Sequence, residues 1–169
     1  AFDIADPDTD NHSTSITIFD SLGESHVQTS YFVKEANATN TNRWALFTAV
    51  DGIKVDAVAA DELTPASTGT NHVGAVFTFN SSGVYNTPTN PDIELEELGA
   101  TGAGVFSAGA DGTQSIDVRL DSPTQFSSGF EVNSLEQDGL TVGRLTGVEI
   151  GPDGLVQAFI LGKDFIGNE

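Results

Sequence analysis

The sequence contains neither cysteine nor methionine, and it has few basic residues. The absence of cysteine excludes disulfides, cysteine nucleophiles and thiolate metal sites. Six basic residues against 25 acidic ones give a net charge of −19. This charge disfavours binding to nucleic acid and to anionic membranes, because both depend on cationic side chains. No apolar run approaches the roughly 20 residues of a membrane-spanning helix. Since methionine is absent, we expect the sequence to be a mature product or a fragment, with no signal peptide at its start.

What the chain does contain is alternation of apolar and polar residues, clearest over Ser15–Lys34. The alternating positions are Ile16 and Ile18 and, after a polar turn, Val27, Thr29, Tyr31 and Val33. A period of two is typical of a strand with one buried face. In the turn, Asp20–Ser25, Asp and Ser can hydrogen-bond the backbone and Gly can adopt a positive φ. The segment therefore predicts a β-hairpin around which the rest of the chain is organised.

Further short strands are predicted along the chain. They cover Arg43–Val50, Val73–Asn80, Gln114–Leu120 and a second hairpin at Leu145–Leu161. Two regions are ambiguous: Ile53–Ala60 is a strand unless Ala57–Leu63 forms a turn of helix, and Ile93–Leu98 is a short strand or an acidic turn of helix. No long amphipathic helix is apparent, and the total is about eight to ten strands. The predicted fold class is all-β: an antiparallel β-barrel or sandwich of short strands with a small C-terminal β-hairpin segment.

The acidic start of the chain offers one partial metal motif. Asp6, Asp8 and Asp10 alternate as at the opening of a calcium loop. The required glycine is missing, and Thr17 stands where a bidentate glutamate would close the site. We therefore interpret this stretch as a turn-rich connector in which Pro7 blocks regular structure.

No other motif assigns a reaction or a ligand. His12, His26 and His72 are far apart in sequence, and His26 is interpreted as a surface or turn residue. The Gly-rich segment Gly99–Gly112 has no following lysine and is not a phosphate loop; we expect it on the exposed side of the domain. Trp44 is interpreted as a core anchor. The sequence thus predicts no enzyme and no catalytic, cofactor-binding or metal-binding residues.

Several blocks of sequence together resemble the bacterial flagellar hook protein family. They are Ser15–His26 with Tyr31–Lys34 and Trp44, then Thr124–Phe126, Val132–Val148 and Pro152–Val156, with Ala5–Thr9 and Phe77–Gly83 as weaker matches. The first block resembles the family's outer β-domain, and the later ones resemble its return to an inner domain. One departure is Phe159–Gly162, where the family usually has Tyr-Ser-Asn-Gly. The family's terminal helices are absent from the sequence.

The resemblance implies a central fragment of a structural subunit. The expected domains are an outer hook-type β-domain at residues 1–123 and a partial return segment toward an inner β-domain at 124–169. The implied function is self-assembly into the flexible, torque-transmitting joint between rod and filament. The implied partners are neighbouring hook subunits and other axial proteins, outside the cell in the flagellar hook. The fragment alone is expected to be monomeric. Export through the flagellar channel would account for a missing cleavable signal.

An alternative function belongs to a different class. This alternative is a secreted carbohydrate-binding or adhesin-type β-module. In that case Trp44, Tyr31 and Tyr85 would line a platform for sugar rings. This hypothesis requires the three aromatic side chains to share one surface.

Overall fold

The computed structural model describes residues 2–35, 42–58, 66–67, 72–87, 92–100, 102–127, 129–139, 144–152 and 154–161. The strands are β1 His12–Phe19, β2 Ser25–Lys34, β3 Arg43–Val50, β4 Ile53–Val55, β5 Ala66–Ser67, β6 Val73–Phe79, β7 Tyr85–Thr87, β8 Asp92–Glu94, β9 Asp117–Arg119, β10 Arg144–Ile150 and β11 Val156–Leu161. Every element in these ranges is a strand, which confirms the predicted all-β fold. In the same ranges, no helix has the length and hydropathy needed to cross a membrane.

A seven-stranded antiparallel sheet forms the body of the molecule. Its order is β1-β2-β3-β6-β5, with β4 paired to β3 and β7 paired to β6. Strands β1 and β2 form the predicted hairpin, with His12 opposite Phe32 and Phe19 opposite Ser25. Strands β8 and β9 form a separate two-stranded sheet. No pairing among the described residues joins β1 to β5, so the sheet is open and the smaller sheet forms part of a second layer.

Strand β3 lies at the centre of the sheet and is buried on both faces. It pairs with β2 along one edge and with β4 and β6 along the other. Leu46 and Val50 belong to a larger core on one face, whereas Ala45 and Phe47 belong to a smaller core on the opposite face. Strands buried on both faces read as continuous apolar runs, which explains the sequence of this segment.

The larger core lies between the seven-stranded sheet and the second layer. From the sheet it takes Ile18, Leu46, Val50, Phe77 and Phe79. From the second layer it takes residues near β8 and from the Gly-rich segment: Ile93, Leu95, Leu98 and Phe106. Their burial removes a large apolar area from water and is the main stabilising term of the domain.

The smaller core is covered by the N-terminal segment. Phe2 is 3% exposed and its ring stacks on that of Phe47, with centroids 4.6 Å apart. His72 packs against the same two rings and is 2% exposed. Its Nε2 lies 2.9 Å from the Thr48 carbonyl oxygen and 3.3 Å from that of Val55. Both partners are acceptors, so Nε2 carries the proton and donates.

The Gly-rich segment 99–112 is less exposed than expected. Phe106 is 5% exposed, and Ala103, Val105 and Ala110 pack against the larger core. The expectation of an exposed segment is therefore wrong for these four residues, because the second layer needs apolar side chains to cover the sheet. Ser107–Gly109 and Asp111 are exposed as expected.

Each ambiguous segment begins as strand, in β4 and β8, and its later described residues are in neither strand nor helix. Strand β4 ends at Val55, and Ala57 forms an isolated bridge with Leu95 just after β8. The predicted strand Gln114–Leu120 shortens to β9, Asp117–Arg119. The remainder of Ile53–Ala60, from residue 59, lies outside the described residues.

The chain after residue 123 first crosses the main sheet and then forms the second hairpin. Thr124 bridges Val84, and the Gln125 amide group hydrogen-bonds both Trp44 and Asn42. Strands β10 and β11 pair with each other, as predicted, with an irregularity between Leu145 and Gly147. The expected domain boundary at residues 123 and 124 stays a prediction.

We predict that Gly74→Ala destabilises the fold by about 1–3 kcal/mol, since overpacking a tight site forces backbone shifts. A Cβ at this position in β6 would lie 2.7 Å from the Leu46 carbonyl oxygen and 2.7 Å from ring atoms of the buried Phe47. Urea unfolding measures the change. Gly129→Ala is the control, because no atom lies within 4 Å of its added Cβ. Equal stability of the two variants would contradict the prediction.

The second prediction concerns acid pH. Burial lowers the pKa of His72 below its usual 6.5, although its hydrogen bonds to carbonyls oppose this. As the pH falls, the unfolded chain therefore takes up a proton at His72 before the folded chain does. The contribution of His72 to the free energy of unfolding is complete above about pH 6.5, and it is lost as the pH falls toward the pKa of His72 in the folded state.

We expect the urea concentration at the unfolding midpoint to decrease when the pH is lowered from about 7.5 to about 5.5. The decrease should be smaller in His72→Gln. Glutamine keeps an N–H donor for the carbonyl oxygens but does not titrate. His12→Gln is the control, because His12 is only partly buried. An identical fall in His72→Gln and the native chain would show that another group is responsible.

Candidate functional site: a buried aspartate–histidine cluster

The turn of the first hairpin is organised by Asp20, which directly follows β1. Its Oδ1 accepts the backbone N–H groups of Leu22, at 2.9 Å, and Glu24, at 2.8 Å. Its backbone N–H donates to the Glu24 carbonyl oxygen, and its own carbonyl oxygen accepts from Gly23, whose φ is 75°. The side chain of Asp20 is fully buried. One carboxylate oxygen thus closes the turn, and the other is available to the interior.

His26, the second residue of β2, faces the larger core from the end of the sheet. It lies opposite Ile18 and is 6% exposed. Its Nδ1 is 2.7 Å from Asp51 Oδ2. A carboxylate oxygen only accepts, so Nδ1 carries the proton of this hydrogen bond. In the neutral ring, Nε2 then has a free lone pair.

Asp51 is positioned for this role by the tight turn between β3 and β4. Asp51 and Gly52 have φ values of 50° and 77°, the two positive values of a type I′ turn, which Asp-Gly favours. Asp51 Oδ1 also accepts the Val27 backbone N–H at 2.9 Å. That hydrogen bond and the adjacent His26 ring lower the pKa of Asp51, although desolvation opposes them. The carboxylate therefore stays ionised at neutral pH and fixes the His26 ring.

Two buried polar atoms face each other across the cluster without a hydrogen-bond partner. His26 Nε2 and Asp20 Oδ2 are 3.9 Å apart, which is too long for a hydrogen bond between them. Glu24, on the exposed side of the turn, has a carboxylate oxygen close to Asp20 and His26. One ligand atom from each of Asp20, Glu24 and His26 lies within 4.8 Å of the other two. Three potential metal donors thus converge at one point.

The second layer closes this cluster from above. The Phe106 ring lies 4.8 Å from the His26 ring, between centroids. The Asp111 backbone N–H donates to Ser21 Oγ at 2.7 Å, which attaches the Gly-rich segment to the turn. Gln114 Nε2 donates to the Phe19 carbonyl oxygen, while Gln114 Oε1 is buried without a partner. The second layer therefore covers one side of the cluster, while Glu24 and Asp51 remain exposed.

The interpretation of His26 as a surface or turn residue is wrong. The alternating positions Val27, Thr29, Tyr31 and Val33 predict the other face of β2 as the buried one. The pairing of β2 with β1 and β3 turns His26, Gln28 and Ser30 inward instead, and all three are buried. A sequence signal did exist: in a hairpin with this turn, His26 lies opposite Ile18, two residues before Asp20.

The partial calcium motif forms a local turn. Asp6 Oδ1 accepts the Asp8 backbone N–H at 3.1 Å, and Thr9 Oγ1 donates to the Asp6 carbonyl oxygen at 2.7 Å. Asp6 and Asp8 are exposed. Among the described residues, the donors within reach of one another are those of Asp20, Glu24 and His26, not those of the N-terminal segment.

The aromatic residues of the alternative function lie on different faces. Trp44 packs against the larger core, stacks near His12 and donates from Nε1 to Gln125 Oε1 at 2.8 Å. Tyr85 packs against Phe77 and Phe79 at the larger core. Tyr31 packs against Phe2 at the smaller core, on the opposite face of the sheet. The three rings therefore do not form one platform, and Trp44 anchors the chain after residue 123.

Comparison with curated proteins gives relatives of one kind. The chain is 26% identical over 155 residues to "Flagellar hook protein FlgE" of Salmonella typhimurium (strain LT2) and, to the same extent, to the protein of that name from Salmonella typhi. Each alignment covers 92% of this chain and 32% of the relative. The chain thus spans about a third of the length of these relatives.

A family model provides the broader match. The model for the flagellar basal body protein FlaE D2 domain matches residues 1–140, which include the main sheet, the second layer and the aspartate–histidine cluster. The match confirms the resemblance to flagellar hook proteins that the sequence blocks indicate. The chain belongs to the flagellar basal body protein FlaE D2 domain family.

Proposed function

We propose that this chain is the central part of a structural subunit of the bacterial flagellar hook, and that it acts without catalysing a reaction. The subunit self-assembles outside the cell into the flexible joint that transmits torque between rod and filament. The observation that carries this proposal is the family match over residues 1–140. The likeness to the two Salmonella hook proteins supports it.

The geometry supports a rigid module. Strand β3 is hydrogen-bonded along both edges and buried on both faces, so the sheet cannot bend there without opening a core. Protein interiors are close-packed and resist deformation. A joint built from such modules bends at the contacts between them, where interfaces permit relative motion.

The second hairpin supports contact with neighbouring chain segments or subunits. Around its turn, four apolar side chains are between 58% and 69% exposed: Val148, Ile150, Leu155 and Val156. Ile150 pairs with Val156, and Val148 is two residues away on the same strand, so these three share one face. An apolar face of this kind on a highly acidic chain is typical of a surface that is covered in an assembly.

The alternative carbohydrate-binding or adhesin function receives less support. Its aromatic platform requires Trp44, Tyr31 and Tyr85 on one surface, and the sheet separates Tyr31 from the other two. All three side chains are also partly buried in packing contacts.

We predict that the full-length protein containing this chain assembles into tubular polymers and that Ile150→Ser impairs this assembly. The substitution removes an exposed apolar side chain, so folding should change by less than about 0.5 kcal/mol while an intersubunit contact is lost. Sedimentation and electron microscopy of the purified full-length protein measure the polymer, and urea unfolding checks the fold.

Val27→Ser is the matched control, because Val27 is 50% exposed on the first hairpin. We expect its assembly to match that of the native protein. Normal assembly of Ile150→Ser would contradict the proposed contact face but not the proposed hook function. Failure of the native full-length protein to polymerise, or polymers of the 169-residue chain by itself, would overturn the proposed function.

A further inference from the structure

We propose that Asp20, Glu24 and His26 bind a divalent transition-metal ion, Zn²⁺ being the best match to their donors. One imidazole nitrogen and two carboxylate oxygens are donor types that Zn²⁺ accepts in three-ligand sites, with a water molecule as the fourth ligand. The proposal is independent of the hook function, because it rests on the geometry of the aspartate–histidine cluster.

The first argument is the state of the two buried donors. Asp20 Oδ2 and His26 Nε2 are buried and lack a hydrogen-bond partner, although leaving such atoms unsatisfied is destabilising. They face each other at 3.9 Å. A shared cation would satisfy both at once.

The second argument is distance. Zinc lies about 2.0–2.2 Å from histidine nitrogen and carboxylate oxygen, so one tetrahedral ion between Asp20 and His26 needs the two ligand atoms about 3.4 Å apart. Closing the present separation by about half an ångström gives a tetrahedral angle at the metal. Glu24 already has an oxygen within 4.8 Å of a ligand atom of each of the other two residues, and its exposed side chain can rotate to complete the site.

The third argument is the orientation of the histidine ring. Metal-binding histidines commonly donate their other ring N–H to a carboxylate, which fixes the tautomer and the ring plane. The Nδ1 contact with Asp51 at 2.7 Å has this form and leaves the Nε2 lone pair directed at Asp20. Phe106 covers the ring and limits the access of water. The net charge of −19 raises the local concentration of cations.

The experiment is a Zn²⁺ titration of the untagged, chelator-treated chain by calorimetry, with unfolding temperature as a second readout. We expect one saturable site per chain and a higher unfolding temperature with Zn²⁺, because ligands that bind the native state stabilise it. Ca²⁺ and Mg²⁺ at the same concentration should change the unfolding temperature little, since both prefer six or more ligands that are all oxygen atoms.

Three variants assign the site. Asp20→Asn keeps Oδ1 as an acceptor for the turn but removes the charge, His26→Gln removes the ring nitrogen, and Glu24→Gln changes an exposed ligand without affecting the core. We expect each to weaken Zn²⁺ binding about tenfold or more. His12→Gln and Asp8→Asn, a histidine and an exposed acid outside the cluster, should bind as the native chain does.

Nitrogen NMR of the histidine rings tests the same site without relying on variant stability. Zn²⁺ should shift the Nε2 resonance of His26 and leave its Nδ1 protonated. Any one of three results would overturn the proposal. The first is no saturable Zn²⁺ binding, the second is binding by Glu24→Gln and His26→Gln as strong as that of the native chain, and the third is a resonance shift confined to His12. An internal water between Asp20 and His26 would produce the first of these results.

Discussion

The structure depends on one constraint, that strand β3 must be covered on both faces and along both edges. Ala45, Leu46 and Val50 are each at most 1% exposed, and their side chains divide between two cores. Each covering element is thereby fixed in position: the N-terminal segment over one face, the second layer over the other, and β2, β4 and β6 alongside. An error in the pairing of β3 would expose both cores, so its register is strongly determined.

The register of β3 also determines which residues of β2 are buried. Phe32 pairs with Leu46, so the even-numbered residues of β2 face the larger core. Toward the turn these residues are Ser30, Gln28 and His26, and the core there becomes polar. Buried polar groups need partners, and Asp51 in the β3–β4 turn accepts a hydrogen bond from His26 Nδ1, whereas His26 Nε2 faces Asp20 without one. The aspartate–histidine cluster is thus a consequence of how the sheet ends.

The sequence predicted those parts of the fold that local patterns determine. Both hairpins follow from alternation and turn residues, the bounds of β3 follow from its apolar run and the turn after it, and several sequence blocks in combination indicate the family. His26 could not be placed in this way, because its burial depends on pairing with β3, about 20 residues further along the chain. The burial of Phe106 depends similarly on which surface of the distant sheet is left uncovered. Long-range register therefore marks the limit of reading the sequence.

The aspartate–histidine cluster connects segments within the domain, whereas the proposed assembly surface on the second hairpin would contact other modules. The first hairpin is held by β3 through seven paired residues, and the cluster joins its turn to the β3–β4 turn and to the Gly-rich segment. Force applied along the hairpin would load these hydrogen bonds together, since antiparallel strands under shear cannot separate one bond at a time. Polar contacts that tie three chain segments at the end of a sheet reduce fraying where strands are weakest. If the chain acts in the proposed hook joint, stiffness of this kind inside the module leaves bending to the exposed apolar faces between modules.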